Sequence, residues 1–206
     1  MGGTRSRETE TEAGAAPFVP SSRRWRDLAA AAKGCRGCPL YRHATQVVFG
    51  SGPARAALLL VGEQPGDRED REGLPFVGPA GRILDDALGR AGLSREQVYV
   101  TNAVKHFKVD ERGKRRIHKK PNASEIDACR PWLAAEIEAV RPRIVIALGA
   151  TAARALGPLT GAAGGPSVVR TIHPSAALRA PDSASRARLR SRLSRDLRRA
   201  ASAAGG

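Results

Sequence analysis

The sequence predicts an α/β fold, a three-layer α/β/α domain built around a central, mostly parallel sheet of four strands. Two observations support this prediction. Four short apolar runs are continuous rather than alternating, which is typical of parallel strands covered by helices on both faces. Helical patterns separate these runs, and an alternation of strand and helix implies right-handed crossovers within one sheet. A chain of 206 residues is long enough for one such domain.

The elements follow in a simple order. Residues 1 to 20 are rich in Gly, Thr, Glu and Ala and predict a disordered tail, and residues 21 to 203 form the predicted domain. A short helix over residues 23 to 33 leads into a segment with two cysteines. The predicted strands cover residues 57–62, 98–103, 144–149 and 168–172.

Three longer helices are predicted over residues 79–92, 124–140 and 183–203. In the second, Ser124 and Asp127 resemble a capping pair. Because proline lacks a backbone amide, Pro131 should bend this helix or mark its junction with an earlier turn. The third has a thin apolar stripe of leucines. Seven arginines between Arg186 and Arg199 occupy its other faces.

Charge indicates the kind of partner. Lys and Arg outnumber Asp and Glu by 35 to 20, a net charge of +15, which favours a polyanion because each neutralised phosphate releases a counterion. A ribosome-associated protein, or one that is merely Arg-rich, is the alternative. No apolar run reaches the roughly 18 residues of a membrane span, and the N-terminus lacks an apolar signal core. We therefore expect a cytoplasmic, nucleoid-associated protein.

Polar groups follow three of the predicted strands. Gly62-Glu63-Gln64 comes after the first strand, Asn102 lies at the end of the second, and His173 follows the fourth. Ligands of open α/β sheets bind at the carboxyl ends of the strands. The sequence therefore predicts an active site at this edge.

A basic segment supplies a second imidazole. Residues 113 to 120 place His118 among five cations, and such a run is more often a solvated face. The preceding Gly-rich turn and the later His173 favour the functional interpretation: a site that holds DNA and acts on one nucleotide.

Three cysteines do not suit a set of structural disulfides. Cys35 and Cys38 form a Cys-x-x-Cys pair, for which zinc, an iron–sulfur cluster and a redox dithiol are the alternatives. A closed metal site needs four ligands. Cys129 and His106 are the candidates for the other two, although by itself Cys129 fits a small core residue and His106 a surface histidine.

Five motifs in order resemble the family 4, iron–sulfur uracil-DNA glycosylases, and the likeness extends from about Cys35 to Arg179. Gln64 and the loop that ends in His118 are similar, more narrowly, to the UdgX branch. The motifs are Gly62-Glu63-Gln64-Pro65-Gly66, residues 73 to 81, Thr101-Asn102-Ala103-Val104-Lys105, the inserted Lys114-Arg115-Arg116-Ile117-His118 loop and His173-Pro174-Ser175.

The resemblance implies a uracil-DNA glycosylase-like fold and a role for each motif. Phe76 would stack on the flipped uracil, Asn102 would read its edge, and His173 would stabilise the leaving base. His118 would join covalently to the sugar, oriented by Glu63 or Gln64. The other residues implied at the site are Gly62, Arg116 and Ser175, with Lys114, Arg115, Lys119 and Lys120 supplying charge toward DNA phosphates.

The resemblance also implies a cofactor and a partner. His106 stands where ordinary family 4 members have a cysteine, so Cys35, Cys38, His106 and Cys129 would bind a [4Fe–4S] cluster. We expect a monomer that acts on uracil-containing DNA, preferably single-stranded. A turnover glycosylase and a non-catalytic sensor of uracil-DNA are the alternatives. The sequence departs from the family pattern in one segment. Residues 157 to 165 form a short, Gly-Ala-rich stretch where the family has an Arg-Gly-containing strand and turn.

Overall fold

The computed structural model describes residues 14–112, 115–160 and 165–205, except for the side chains of residues 111, 112 and 115. Within them a parallel sheet of four strands has the order β2-β1-β5-β6, and β3 and β4 form a separate antiparallel hairpin. The strands are β1 Leu58–Gly62, β2 Val98–Asn102, β3 Val109–Arg112, β4 Arg115–His118, β5 Ile144–Leu148 and β6 Ser167–Thr171. The predicted fold class and its four strands are confirmed, whereas the hairpin was not predicted.

Seven α-helices surround the sheet in the described residues. They are α1 Trp25–Ala32, α2 Asp67–Glu72, α3 Pro79–Arg90, α4 Ala123–Val140, α5 Ala150–Leu156, α6 Ser175–Leu178 and α7 Ser183–Gly205. The four predicted helices are α1, α3, α4 and α7. None of the seven is long and apolar enough to cross a bilayer.

The core has two layers because successive strand residues face opposite sides of the sheet. Leu59, Val61 and their neighbours pack with α1, α4 and α5, while Leu58 and Leu60 pack with α3 and α7. All five positions of β1, β2 and β5 are buried. This two-sided burial is the reason that their sequences are continuously apolar.

Helix α4 differs from its prediction at the start. Its N-cap is Asn122, whose side chain accepts a hydrogen bond from the Glu125 amide at 2.9 Å, while Glu125 accepts one from the Asn122 amide at 2.7 Å. The predicted pair of Ser124 and Asp127 was therefore wrong, because a capping box two residues earlier satisfies the first amides. The helix continues through Pro131.

Two other predicted segments differ or fall outside the described part. Residues 14 to 20 pack on the domain instead of continuing the tail: Ala15 is 1% exposed and its amide donates to the Ala128 carbonyl at 2.8 Å. Residues 1 to 13 lie outside the described residues. In the Gly-Ala-rich segment, Gly157–Leu159 is a 3₁₀ turn, and residues 161 to 164 are outside the description.

Candidate active site

A cavity of about 730 Å³ opens at the carboxyl ends of the parallel strands. This is the edge at which the sequence predicts a site, and the groups predicted for three strands meet there together with the end of the hairpin. The predicted site residues that line the cavity are Glu63, Gln64, Phe76, Asn102, His118, His173, Ser175 and Lys120.

Two Gly-rich loops form one wall, and a buried carboxylate joins them. Glu69 on α2 accepts a hydrogen bond from the Gly78 amide at 2.8 Å and one from the Gly66 amide at 3.1 Å. Glu69 is 8% exposed. Because one side chain satisfies amides from both loops, the turn after β1 and the turn before α3 hold a fixed distance from each other.

Gly62 allows the side chains of Asn102 and Phe76 to approach each other closely. Gly62 is paired with Asn102 across β1 and β2. A Cβ atom at Gly62 would lie 2.3 Å from Asn102 Oδ1 and 2.5 Å from Phe76 Cζ. These distances are far below van der Waals contact, so residue 62 must be glycine for the Asn102 amide and the Phe76 ring to meet at the cavity floor.

Phe76 has a backbone conformation that phenylalanine rarely adopts, with φ of 58°. Its ring centroid lies 6.1 Å from that of His173, and the Arg95 guanidinium lies 5.9 Å from its centroid. A Cβ atom at Gly81 would clash with the Phe76 carbonyl oxygen at 1.8 Å. Phe76 is 6% exposed and packs with the α3 layer, so the ring belongs to the core as well as to the cavity.

A buried network lies beneath Asn102. Lys105 Nζ donates to the Asn102 carbonyl at 2.7 Å, to Thr101 Oγ1 at 2.6 Å, and to the Glu136 carboxylate. Glu136 also accepts from Tyr99 Oη at 2.9 Å and from the Gly50 amide at 2.9 Å. Lys105 is 1% and Glu136 0% exposed, so this ion pair fixes the end of β2 from below.

The hydrogen bonds around His173 determine which ring nitrogen carries the proton. The Ser175 amide donates to His173 Nδ1 at 3.2 Å, and Ser175 Oγ lies 2.7 Å from the same atom. Arg179 donates to Ser175 Oγ at 2.9 Å, which leaves the hydroxyl hydrogen for His173. Nδ1 is therefore the acceptor and Nε2 the donor. Burial lowers the pKa of His173 to about 4, against an opposing effect of Glu63, so the ring is neutral at pH 7.

The side-chain amide of Gln64 positions His118. Gln64 Nε2 lies 2.8 Å from His118 Nε2 and 2.8 Å from the Lys119 carbonyl, and Gln64 Oε1 accepts from the Lys108 amide at 3.1 Å. The last bond fixes the orientation of the Gln64 amide, since only its oxygen can accept. The Gln64 nitrogen then donates to His118 Nε2, so this ring nitrogen is the acceptor of the hydrogen bond.

Glu63 lies between His118 and helix α5. Glu63 Oε1 lies 4.0 Å from His118 Nε2, and Glu63 Oε2 accepts from Thr151 Oγ1 at 2.5 Å. Thr151 is 4% exposed and lies two residues after the Gly149 turn at the end of β5. Sequence reasoning missed Thr151, although its position just beyond a strand end was a signal of the same kind as that of His173.

Arg116 holds the hairpin to the domain. Its guanidinium donates to Asp67 at 2.7 Å and to Asp70 at 2.6 Å, and lies 5.2 Å from the centroid of the Phe107 ring. These partners, first of all Asp70, raise the pKa of Arg116. Arg116 is not among the described residues that line the cavity. The sequence offered a signal for its partners: two aspartates three residues apart directly after the Gly-rich turn.

The remaining basic residues of the segment have different positions. Lys120 lines the cavity, whereas Lys119 is exposed and its ammonium lies 3.4 Å from Asp110. Lys114 lies outside the described residues, and the Arg115 side chain is likewise not described.

Three thiols and one imidazole match the predicted cluster ligands in chemistry. Cys35, Cys38 and Cys129 are buried and form no disulfide, and His106 is 6% exposed. Burial raises the pKa of the Cys129 thiol to about 12, with further contributions from Cys38 and Cys35. Burial lowers the pKa of His106 to about 4, so its imidazole is a neutral donor. These are soft and borderline donors, the kinds that bind iron–sulfur clusters. The Cys129 thiol interacts electrostatically with those of Cys38 and Cys35. In the described part of the chain, however, no three His, Cys, Asp or Glu side chains are grouped closely enough to hold a metal ion.

Known proteins place the chain in a family. A family model described as "Uracil DNA glycosylase superfamily" matches residues 49–198. The type-4 uracil-DNA glycosylase of Pyrobaculum aerophilum is 41% identical over 129 residues, which is 63% of this chain and 62% of that protein. The type-4 uracil-DNA glycosylase of Thermotoga maritima is 38% identical over 159 residues, 71% of this chain and 79% of that protein. A third, of Archaeoglobus fulgidus, is 39% identical over 120 residues, 58% of this chain and 57% of that protein. The chain thus spans between about half and four fifths of these relatives, and it belongs to the uracil DNA glycosylase superfamily.

Proposed function

We propose that this protein excises uracil from DNA and that His118 then binds the exposed sugar covalently, as in the UdgX branch. The observation that carries the proposal is the hydrogen bond between Gln64 and His118 Nε2 at the mouth of the cavity. It leaves an unprotonated ring nitrogen beside a pocket that also contains a neutral imidazole donor, His173. An attacking group and a leaving-group donor thus share one cavity.

Base recognition would use the cavity floor. A flipped uracil needs an aromatic face and a pattern of donors and acceptors on its edge. Phe76 supplies the face, and the Asn102 side chain, with both a donor and an acceptor, reads the edge. Cytosine presents the opposite pattern at its 4-position, so Asn102 would reject it. The Lys105–Glu136 pair below Asn102 would support this selectivity by fixing the Asn102 backbone from which the side chain extends.

Cleavage would begin with loss of the base. The bond between the sugar C1′ and uracil N1 breaks, and its electron pair leaves with uracil. Negative charge develops on the uracil carbonyl oxygen, where His173 Nε2–H would donate a hydrogen bond. Because the pKa of His173 is held at about 4, the ring acts as a neutral donor rather than as a proton source.

Capture would follow at the cationic sugar. His118 Nε2 exchanges its hydrogen bond from Gln64 for a bond to C1′, the ring releases its Nδ1 proton to solvent, and the uracil anion takes up a proton from water. Glu63 lies 4.0 Å from this nitrogen and would stabilise positive charge on the ring and sugar. Imidazole is a poor leaving group once it has lost this proton, so the protein would remain attached to DNA.

We further propose that Cys35, Cys38, His106 and Cys129 hold a [4Fe–4S] cluster. Their number, burial and donor chemistry support the assignment. When bound, the cluster would have a structural role, linking the segment after α1 to the end of β2 and to α4. No step of the reaction described above passes through it.

The test is denaturing gel electrophoresis after mixing the protein with a labelled single strand that contains one uracil, with a thymine strand as control. We expect a uracil-dependent band that survives heat and detergent. Abasic sites without this band would indicate a turnover glycosylase. Neither product would indicate a uracil-DNA sensor and would contradict the proposal.

A variant separates capture from cleavage. In His118→Ser the stable band should disappear while free uracil is released over many turnovers, because water replaces imidazole as the attacking group. His43→Ser is the matched control, since His43 is exposed and not among the cavity-lining residues. A stable adduct that persists in His118→Ser would exclude His118 as the attacking residue.

A further inference from the structure

The last helix carries a stripe of four exposed arginines that the proposed reaction does not use. They are Arg188, Arg192, Arg195 and Arg199 on α7, here called the arginine stripe. Their spacing of four, three and four residues places them along one face of a helix with 3.6 residues per turn. The buried residues of α7 occupy a different face, with Leu193, Leu197, Ala200 and Ala204 in the core. The arginine stripe is therefore a continuous cationic surface.

The position of α7 relates this surface to the cavity. Asp196 accepts a hydrogen bond at 2.7 Å from Thr171, the last residue of β6, so Asp196 lies level with the carboxyl end of the sheet. The carbonyl of Ala204 accepts from Arg143, which directly precedes β5 at the opposite end. The helix thus runs from the cavity side toward the amino ends of the strands. Arg192 and Arg188 precede Asp196 and lie on the cavity side of its level.

The path from the cavity to the arginine stripe begins at Arg179. Its side chain lines the cavity and donates to Ser175. Four residues later α7 begins at Ser183, and the stripe starts one and a half turns further on. Cationic groups thus occur both at the cavity and on the outer surface of the helix, with the exposed Asp182 between them at the start of α7.

Few acidic groups compensate this charge. Asp196 is the only acidic residue within α7. It lies 3.8 Å from Arg192, a contact between partly exposed groups that contributes little to stability. Arg188 contacts the Ser185 hydroxyl at 2.7 Å. Long cationic side chains in water, at regular intervals and beside a cavity, are suited to binding phosphates.

We propose that the arginine stripe binds the phosphate backbone of the DNA strand that leaves the cavity. This inference rests on the proposed function, because it takes the DNA in the cavity as its starting point. Successive stripe residues rise by about 4.5 to 6 Å along the helix. Measured along the axis, the phosphates of one strand rise by about 3.4 Å per nucleotide in a stacked duplex and by more in an extended strand. The rise of the stripe residues therefore suits an extended single strand.

The experiment compares two fluorescent single strands with the same central sequence, one of 7 and one of 30 nucleotides. Each carries a 2′-fluoro group on the uracil sugar, which slows cleavage by destabilising the sugar cation. Anisotropy gives the affinity between 50 and 200 mM salt. The variant R188Q/R192Q/R195Q/R199Q keeps good helix formers at all four positions. The control R24Q/R26Q/K33Q/R55Q removes the same charge from other exposed positions.

We expect the affinity of the stripe variant to depend less on salt than that of the parent, and only for the 30-nucleotide strand. Four lost phosphate contacts would reduce the slope of log affinity against log salt by about 3. The control variant should keep the parent's slope on both strands. Equal slopes for parent and stripe variant, or an equal loss in the control variant, would overturn the inference, since bulk charge would then explain binding.

Failure of the inference and failure of the proposed function give different results. Excision and adduct formation are measured separately, on an unmodified 7-nucleotide uracil strand. Loss of both products in the parent contradicts the proposed function, while a thymine 30-mer still tests whether the arginine stripe binds DNA. Normal excision and adduct formation, together with an unchanged salt slope in the stripe variant, contradict only the proposed role of the arginine stripe.

Discussion

Residue 62 is decisive because its missing side chain leaves room for two others. In Gly62→Ala the new Cβ would lie 2.3 Å from Asn102 Oδ1 and 2.5 Å from Phe76 Cζ. Both groups must move, and a misplacement of about 1 Å at a reacting centre can reduce the rate about 100-fold. We expect at least this loss in single-turnover uracil release, with the protein still folded.

A second glycine provides the control. Gly89 lies inside α3, and a Cβ atom there would contact nothing within 4 Å. Gly89→Ala should leave the rate unchanged and stabilise the fold by up to about 1 kcal/mol, since alanine is the better helix former. Equal loss of activity in Gly62→Ala and Gly89→Ala would show that the cavity floor does not explain the effect.

The lowered pKa of His173 makes a prediction about pH and stability. Between pH 6.5 and 4 the unfolded chain binds a proton at His173 that the folded protein does not bind. Folding stability should therefore fall as pH falls through this range, by at most roughly 3 kcal/mol from this residue. Urea unfolding at several pH values measures it, and His173→Asn should show a correspondingly shallower decline.

The same variant tests catalysis. His173→Asn should slow uracil release by about 10²- to 10³-fold, the usual cost of removing one donor to a developing anion. Because the native ring stays neutral, the parent's rate should not change through His173 between pH 8 and pH 5.5. A rate that falls with an apparent pKa near 6.5, and does so only when His173 is present, would contradict this account.

At the scale of the element, β2 depends on the ion pair beneath its end. Glu136→Ala would leave Lys105 buried and without its carboxylate, at a cost of about 3 to 5 kcal/mol. Glu136→Leu combined with Lys105→Met removes both charges and should cost less. Thermal melting of the parent, Glu136→Ala and the double variant measures the difference. A double variant less stable than Glu136→Ala would contradict this explanation.

Elements were predictable from the sequence where burial imposes a pattern. Strands β1, β2 and β5 are covered on both faces, so their residues are mostly apolar without alternation, and the long helices show a 3.6-residue period. The β3–β4 hairpin has no such pattern, because its strands pair only with each other and are rich in charge. Helix α2 was missed for a related reason: its six residues are all charged.

The candidate site was predictable only in part. His118, His173 and Asn102 stood out because each lies at a strand end or in an unusual segment. The supporting contacts did not, since the pairing of Arg116 with Asp67 and Asp70, or of Thr151 with Glu63, joins residues that are distant in sequence. Only the folded chain determines such pairs. The position of the cavity was thus predictable, but the contacts that support it were not.

For the whole molecule, a cluster would link segments that are far apart in the sequence. Anaerobically prepared protein should be brown, with absorbance near 400 nm and bound iron and sulfide. His106→Cys should retain the colour because cysteine binds iron–sulfur clusters well, whereas His106→Ala should lose it together with thermal stability. His43→Ala is the control imidazole. If the parent protein is colourless and contains stoichiometric zinc, the four residues bind zinc and not an iron–sulfur cluster.

The separate β3–β4 hairpin has a consequence for how this fold changes its chemistry. The hairpin belongs to neither core layer of the sheet and is held by Arg116 and by Gln64. An insertion between β2 and α4 can therefore acquire or lose a reactive side chain without repacking the domain. Under the proposed function, such a hairpin would let a cavity that releases its product become one that retains it, and protein engineers could follow the same route in either direction.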